Sequence, residues 1–167
     1  MPNWCVGNMR LRGKRSAIKE FLSNELESVC HRRGVLDVQI APIIIEDDGY
    51  EITIKRNADD KSLFPSIYIK GTRRNFIRSK SIVVYLDKGD EVIQTVCIDD
   101  VEAAWGFEAT PYLEKAKKYG IDIRIVGFER GMEFEQEIEI VNGELVKDDE
   151  ITYDNWLWEC PMPNMGG

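Results

Sequence analysis

Residues 133–152 read EFEQEIEIVNGELVKDDEIT. Glu133, Glu135, Glu137 and Glu139 occupy alternate positions, with Phe134, Ile138 and Ile140 among the residues between them. A period of two belongs to a strand with one wet face and one buried face. Asn142-Gly143 is a two-residue turn of the kind that demands positive φ at both positions, so the chain is expected to double back as a hairpin. Under that turn Val141 faces Glu144, Glu139 faces Val146, Glu137 faces Asp148 and Glu135 faces Glu150. The register gathers Glu133, Glu135, Glu137, Glu139, Asp148 and Glu150 on one acidic face. It puts Phe134, Ile138, Ile140, Leu145 and Ile151 on the other. Slipping by one residue would bury the carboxylates, at a cost far above any turn preference.

Working outward, residues 121–128 alternate as another strand, with Ile121, Ile123 and Ile125 inward and Gly127 interrupting the set. Thr110-Pro111 is a helix start, and that helix runs to Tyr119 and stops at Gly120. Residues 5–12 alternate, with Cys5, Gly7, Met9 and Leu11 on one side and Asn8, Arg10 and Arg12 on the other. An amphipathic helix is expected from Ser16 to Arg33, with Gly34 as its stop and His31, Arg32 and Arg33 in its last turn. Strands at 38–46 and 50–56 flank the turn Asp48-Gly49, and Pro42 makes the first of them an edge or bulged strand. A polar loop (57–62) and a strand (66–71) follow, and Thr72 caps a short helix to Ile77. Residues 81–86 and 91–98 form a hairpin across 87–90. Residues 99–109 are a linker. Trp156 and Trp158 belong to an aromatic and proline-rich tail, expected to pack on the body with Trp4 as a neighbour.

Strands outnumber helices, and each helix sits between strands. The expected fold is α+β: a two-layer ferredoxin-like sandwich, mainly antiparallel, with helices on one face and extra hairpins. One domain would cover residues 1–152, with residues 153–167 as the packed tail.

A chain of 167 residues, 43% apolar and 31% charged, suits one globular domain with its own core. No run of about 18 apolar residues occurs and no signal-like stretch follows Met1, so neither a membrane partner nor export is expected and the location is cytoplasmic. Residues 1–80 carry 15 Lys/Arg against 10 Asp/Glu, and residues 81–167 carry 7 against 20, giving the net charge of −8. An acidic half of this strength disfavours nucleic acid as a general partner and favours a basic protein. Cys5, Cys30, Cys97 and Cys160 show no metal-ligand spacing and are read as free thiols. His31, the one histidine, lies among arginines at a helix end and reads as a cap. No phosphate-binding glycine loop is present, and no cofactor, catalytic residue or metal ligand is assigned. A row of glutamates does not converge on one point, so a carboxylate-metal enzyme is the weakest reading. Arg73, Arg74, Arg78 and Lys80 form the densest basic run, with Phe76 among them, and could contact a phosphate backbone. Gly71-Thr72 at the start of the expected short helix could also hold an anion. No aromatic pattern for RNA stacking is evident on the wet strand faces.

Met1-Pro2-Asn3-Trp4-Cys5, followed by Asn8, Leu11 and Gly13, resembles the N-terminal signature of the YubB-like ferredoxin-like proteins of plasmids and phages. Gly71-Thr72-Arg73 is similar to that family's Trp-Gly-Thr-Lys segment, with Lys70 in place of the tryptophan. Ala104-Trp105, Pro111 and the helix to Tyr119 resemble its Ala-Trp-Ser-Pro-Pro region, with Gly106 for the serine and a longer interval. Glu129-x-Gly131-Met132-x-Phe134 resembles its closing motif. The likeness implies a bacterial or phage cytoplasmic protein with a ferredoxin-like core, and it implies no activity. It makes Trp4, Trp105, Gly131 and Phe134 fold positions. The functional expectation is a non-enzymatic accessory protein of a mobile element. Its acidic face, partly neutralised by Arg124, Arg10 and Arg12, would bind a basic protein.

Overall fold

The computed structural model describes residues 3–30, 39–57 and 66–166. Strand β1 (Trp4–Gly13) is paired on both edges, antiparallel to β9 (Gln94–Ala104) and to β10 (Asp122–Glu129). Cys5, Gly7, Met9, Leu11 and Gly13 point inward and are buried, whereas Arg10 and Arg12 are exposed, as strand parity requires. Beyond β10 the sheet continues through β11 (Phe134–Val141) to β12 (Glu144–Thr152). Beyond β9 it continues through β7 (Asn75–Ile77), β6 (Ser66–Ile69) and β2 (Leu26–Cys30) to β3 (Gln39–Pro42). A separate antiparallel sheet holds β4 (Ile44–Asp47), β5 (Glu51–Lys55) and β8 (Ser81–Tyr85).

These nine- and three-stranded sheets replace the expected two-layer ferredoxin-like sandwich. Strand makes up 51% of the structure and helix 18%, so the helices are too few and short to form a full second layer. Only α1 (Arg15–Glu25), α2 (Ala109–Tyr119) and the single-turn α3 (Trp156–Glu159) occur among the described residues.

Three local reasons account for the difference. First, α1 stops at Glu25 and the chain extends at Leu26 (φ −110°, ψ 143°). Leu26, Ser28 and Val29 are buried there between β6 and β3. Their spacing also fits a helix, and tertiary pairing overrides it. Ser16 is not the cap; its N–H donates to Asp90 Oδ1 at 2.8 Å, so the cap arrives from the loop before β9. Second, Thr72 starts no helix. Its hydroxyl donates to the Ile69 carbonyl at 2.6 Å within a turn that leads into β7. Third, β8 and β9 do not pair as a hairpin but enter different sheets. Likewise β3 and β4, expected as one strand, part after Pro42, and β3 is the sheet edge that proline tolerates. The expected linker continues β9 through a bulge opposite Asn8. His31, Arg32 and Arg33 lie outside the described residues, as does most of the expected polar loop.

One contiguous core joins β1, β9, β10 and β11 to Ile18, Phe21 and Leu22 of α1, to Tyr112 and Ala116 of α2, and to Ile52, Ile54, Ile82 and Val84 of the small sheet. Where α1 meets β2, the buried Glu25 carboxylate accepts bonds from Lys118 Nζ (2.8 Å) and the Tyr119 hydroxyl (2.6 Å), with Lys115 Nζ at 3.3 Å. Burial opposes its charge, but these partners outweigh it and bring its pKa down to about 2. At the sheet centre Gly7 lies opposite Gly127. A Cβ on Gly7 would stand 1.8 Å from the Val126 carbonyl oxygen.

Gly7→Ala is therefore expected to lower the unfolding free energy by about 3 kcal/mol, measured as the denaturant midpoint at unchanged m-value. The Glu25 network contributes stability above pH 4.5, the ordinary carboxylate value, and loses it as pH falls toward about 2. Glu25→Gln should cost ~3 kcal/mol at neutral pH and should flatten the acid limb of a stability–pH curve.

Candidate functional site

The hairpin turn forms as its residues require, with Asn142 at φ 52° and Gly143 at φ 73°. Val141 faces Glu144 and Ile140 faces Leu145. A bulge then takes in Val146, so Glu139 faces Lys147, Glu137 faces Asp149 and Glu135 faces Ile151, while Ile138 faces Asp148 and Gln136 faces Glu150. The expected register thus holds next to the turn and shifts by one beyond it. Asp148 and Glu150 move to the face opposite Glu135, Glu137 and Glu139, and Ile151 joins the acidic face. Glu133 stands outside β11, exposed in the preceding turn at φ 57°. The six carboxylates therefore do not share one surface. The shift is cheap because β12 is the terminal strand and most of it is exposed on both faces. It also brings Lys147 to Glu137.

Glu137 is clamped. It accepts Arg124 Nε at 2.7 Å and Nη2 at 2.5 Å, and Lys147 Nζ at 2.5 Å. Partial burial opposes its charge, yet the Lys147 and Arg124 bonds hold its carboxyl below the usual range. Glu135 accepts the Tyr153 hydroxyl at 2.5 Å. Arg12 pairs with Asp122 at 2.7 Å, and Arg10 stands opposite Arg124 on the neighbouring strand. The outward carboxylates are those of β12: Glu144, Asp148, Asp149 and Glu150, all exposed.

The tail covers the outer face of β10. Trp156 packs with Phe128 and Cys160, and its Nε1 donates to the Pro163 carbonyl at 2.8 Å. Trp158 is 85% exposed. Trp4, expected beside the tail, stands edge-on to Phe76 at 6.1 Å between centroids. Phe76 in turn lies 5.6 Å from Tyr68. The run Arg73, Arg74, Arg78 and Lys80 divides. The guanidiniums of Arg73 and Arg74 sit 5.4 Å from the centre of the Trp105 ring, and that of Arg74 sits 5.6 Å from Trp4. Arg78 bonds Glu102 beside Phe76. Lys80 leads into the small sheet, where its carbonyl accepts the Arg56 N–H. The aromatic partners of the arginines were not assigned from sequence. Trp4 shares the parity of Asn8 and Arg10, the one signal that places its ring outward.

Among the described residues, no group of three His, Cys, Asp or Glu side chains could hold a metal. The Cys5 thiol is pushed well up by burial and by Glu129, and those of Cys97 and Cys160 are also raised, chiefly by burial. No described helix is long and apolar enough to cross a membrane. Glu129 is fully buried and its carboxylate accepts the N–H groups of Gly131 (2.8 Å) and Met132, which closes the turn into β11. Trp105 takes a left-handed conformation (φ 66°), and its N–H donates to the Asn3 carbonyl at 2.9 Å.

Comparison with protein-family models, curated proteins and solved structures finds no match for this chain.

Glu137→Gln should cost about 1 kcal/mol at neutral pH, because both cationic partners are partly exposed. That difference is present above the ordinary carboxylate pKa and should vanish as pH falls through the depressed one, as read from paired urea curves.

Proposed function

We propose that this chain is a non-enzymatic binding protein whose β12 edge accepts an extended basic segment of another protein as an added strand. One observation carries the reading. β12 ends the nine-stranded sheet with no strand beyond it among the described residues, and Glu144, Asp148, Asp149 and Glu150 are exposed along it. An unpaired edge offers main-chain donors and acceptors to an incoming strand. The carboxylates supply attraction for cationic side chains and speed the encounter. Leu145, Val146 and Ile151 are exposed on the same strand and give an incoming chain apolar contact. The glutamates of β11 have a supporting role, since Glu137 and Glu135 are bonded within the protein. The likeness to the plasmid and phage family is consistent with a cytoplasmic accessory protein of a mobile element.

An alternating Lys-Val peptide is the probe. Its titration should shift the amide NMR signals of residues 144–152 first. D148N/D149N/E150Q, all at exposed positions, should weaken it by about tenfold at low salt. Shifts centred elsewhere, or equal affinity in the triple variant, would refute the edge.

A further inference from the structure

We infer that the outer sheet face around Trp4, Phe76 and Tyr68, together with Trp105, Arg73 and Arg74, is a platform for single-stranded nucleic acid. The inference does not depend on the β12 reading, because it rests on other strands of the sheet, β1, β7 and β6.

The aromatic row is built by strand parity. Trp4 lies on β1, Phe76 on β7 and Tyr68 on β6, all on the face turned away from the buried set. β9 passes between the first two, and the small side chain of Ala104, opposite Trp4, leaves the rings room to approach. The three residues are partly buried, each keeping some of its surface open to solvent. Trp105 adds a fourth ring at the margin, 54% exposed and held at positive φ, an expensive conformation for a bulky residue. Arg74 is also left-handed (φ 58°) and lies against both Trp4 and Trp105. Arg74 makes no ion pair among the described residues, and Arg73 has only Glu108 at 3.9 Å.

Ring faces beside guanidiniums are what a single strand needs. Unpaired bases stack on aromatic faces and on arginine planes, and the cations follow the phosphates. A duplex keeps its bases stacked within itself and gains nothing from the rings. Of the carboxylates nearby, Glu102 is engaged by Arg78 and Glu27 by Lys70 at 3.2 Å, while the exposed Glu108 stands 3.9 Å from Arg73 and would have to yield it to a phosphate. The net charge of −8 repels a polyanion elsewhere, so contact is confined to this face and is strongest at low salt.

The test is fluorescence anisotropy with a labelled oligodeoxythymidine of about 20 nucleotides, at several salt concentrations, with tryptophan quenching as a second readout. R73Q/R74Q and W105A alter exposed side chains, and circular dichroism checks their fold. The wild type should bind with affinity falling as salt rises. R73Q/R74Q should weaken binding by about tenfold and reduce the salt slope by ~1.4. W105A should weaken it by at least about fivefold with the slope unchanged. No binding at low salt, equal binding of a blunt duplex, or variants indistinguishable from wild type would overturn the assignment. A face that serves only protein contacts would give the first of these results.

Discussion

The centre of this protein is a place with no side chains. Gly7 and Gly127 face each other across β1 and β10, and a Cβ on Gly127 would stand 2.6 Å from the Phe107 ring and 2.7 Å from the Cys5 sulfur. Phe107 is buried there because the space exists. Its own backbone is then held at both polar groups: its N–H donates to Gln136 Oε1 and its carbonyl accepts Gln136 Nε2, each at 2.8 Å. That seat fixes the segment joining β9 to α2, and the residues just before it turn through positive φ and present Trp105 outward. The position of an exposed ring thus follows from two missing methyl groups in the interior.

Much of the charge that reads as surface in the sequence is architecture. Glu25 ties the end of α1 to α2, and its carbonyl also accepts the Lys70 N–H at 2.9 Å. Asp47 ties the β4–β5 turn to α1 through Arg15 (2.5 Å) and Lys19 (2.6 Å), and these bonds, Arg15's first, hold its carboxyl well below the ordinary range. Glu129 shapes a turn and Glu137 joins three strands. Buried or clamped carboxylates do not act as free field sources, so net charge by segment overstates what a partner meets.

Period-two signals were the legible part. The strands holding Met9, Ile123 and Ile138, the Asn142-Gly143 turn and the Gly120 helix stop are where the residues imply them. Short apolar runs were not legible, since Leu26, Ser28 and Val29 suit either period and only the pairing with β6 and β3 decides. Sheet membership was equally hidden: nothing local tells that β8 leaves the company of β9. Of the candidate surfaces, the glutamate row could be read because parity is local. The aromatic face could not, because Phe76 sits on a three-residue strand that reads as a helical turn. Its neighbours arrive from β1 and β6, far away along the chain.

The extra residue at Val146 has a geometric outcome of its own. Without it, the negative groups of the last two strands would form a plate lit from one side. With it, they wrap the rim of the molecule, above and below the plane of the sheet. A cationic chain drawn to such a rim feels nearly the same pull from either side. Which way round it settles is then decided by the polarity of its peptide groups and not by where its charges lie.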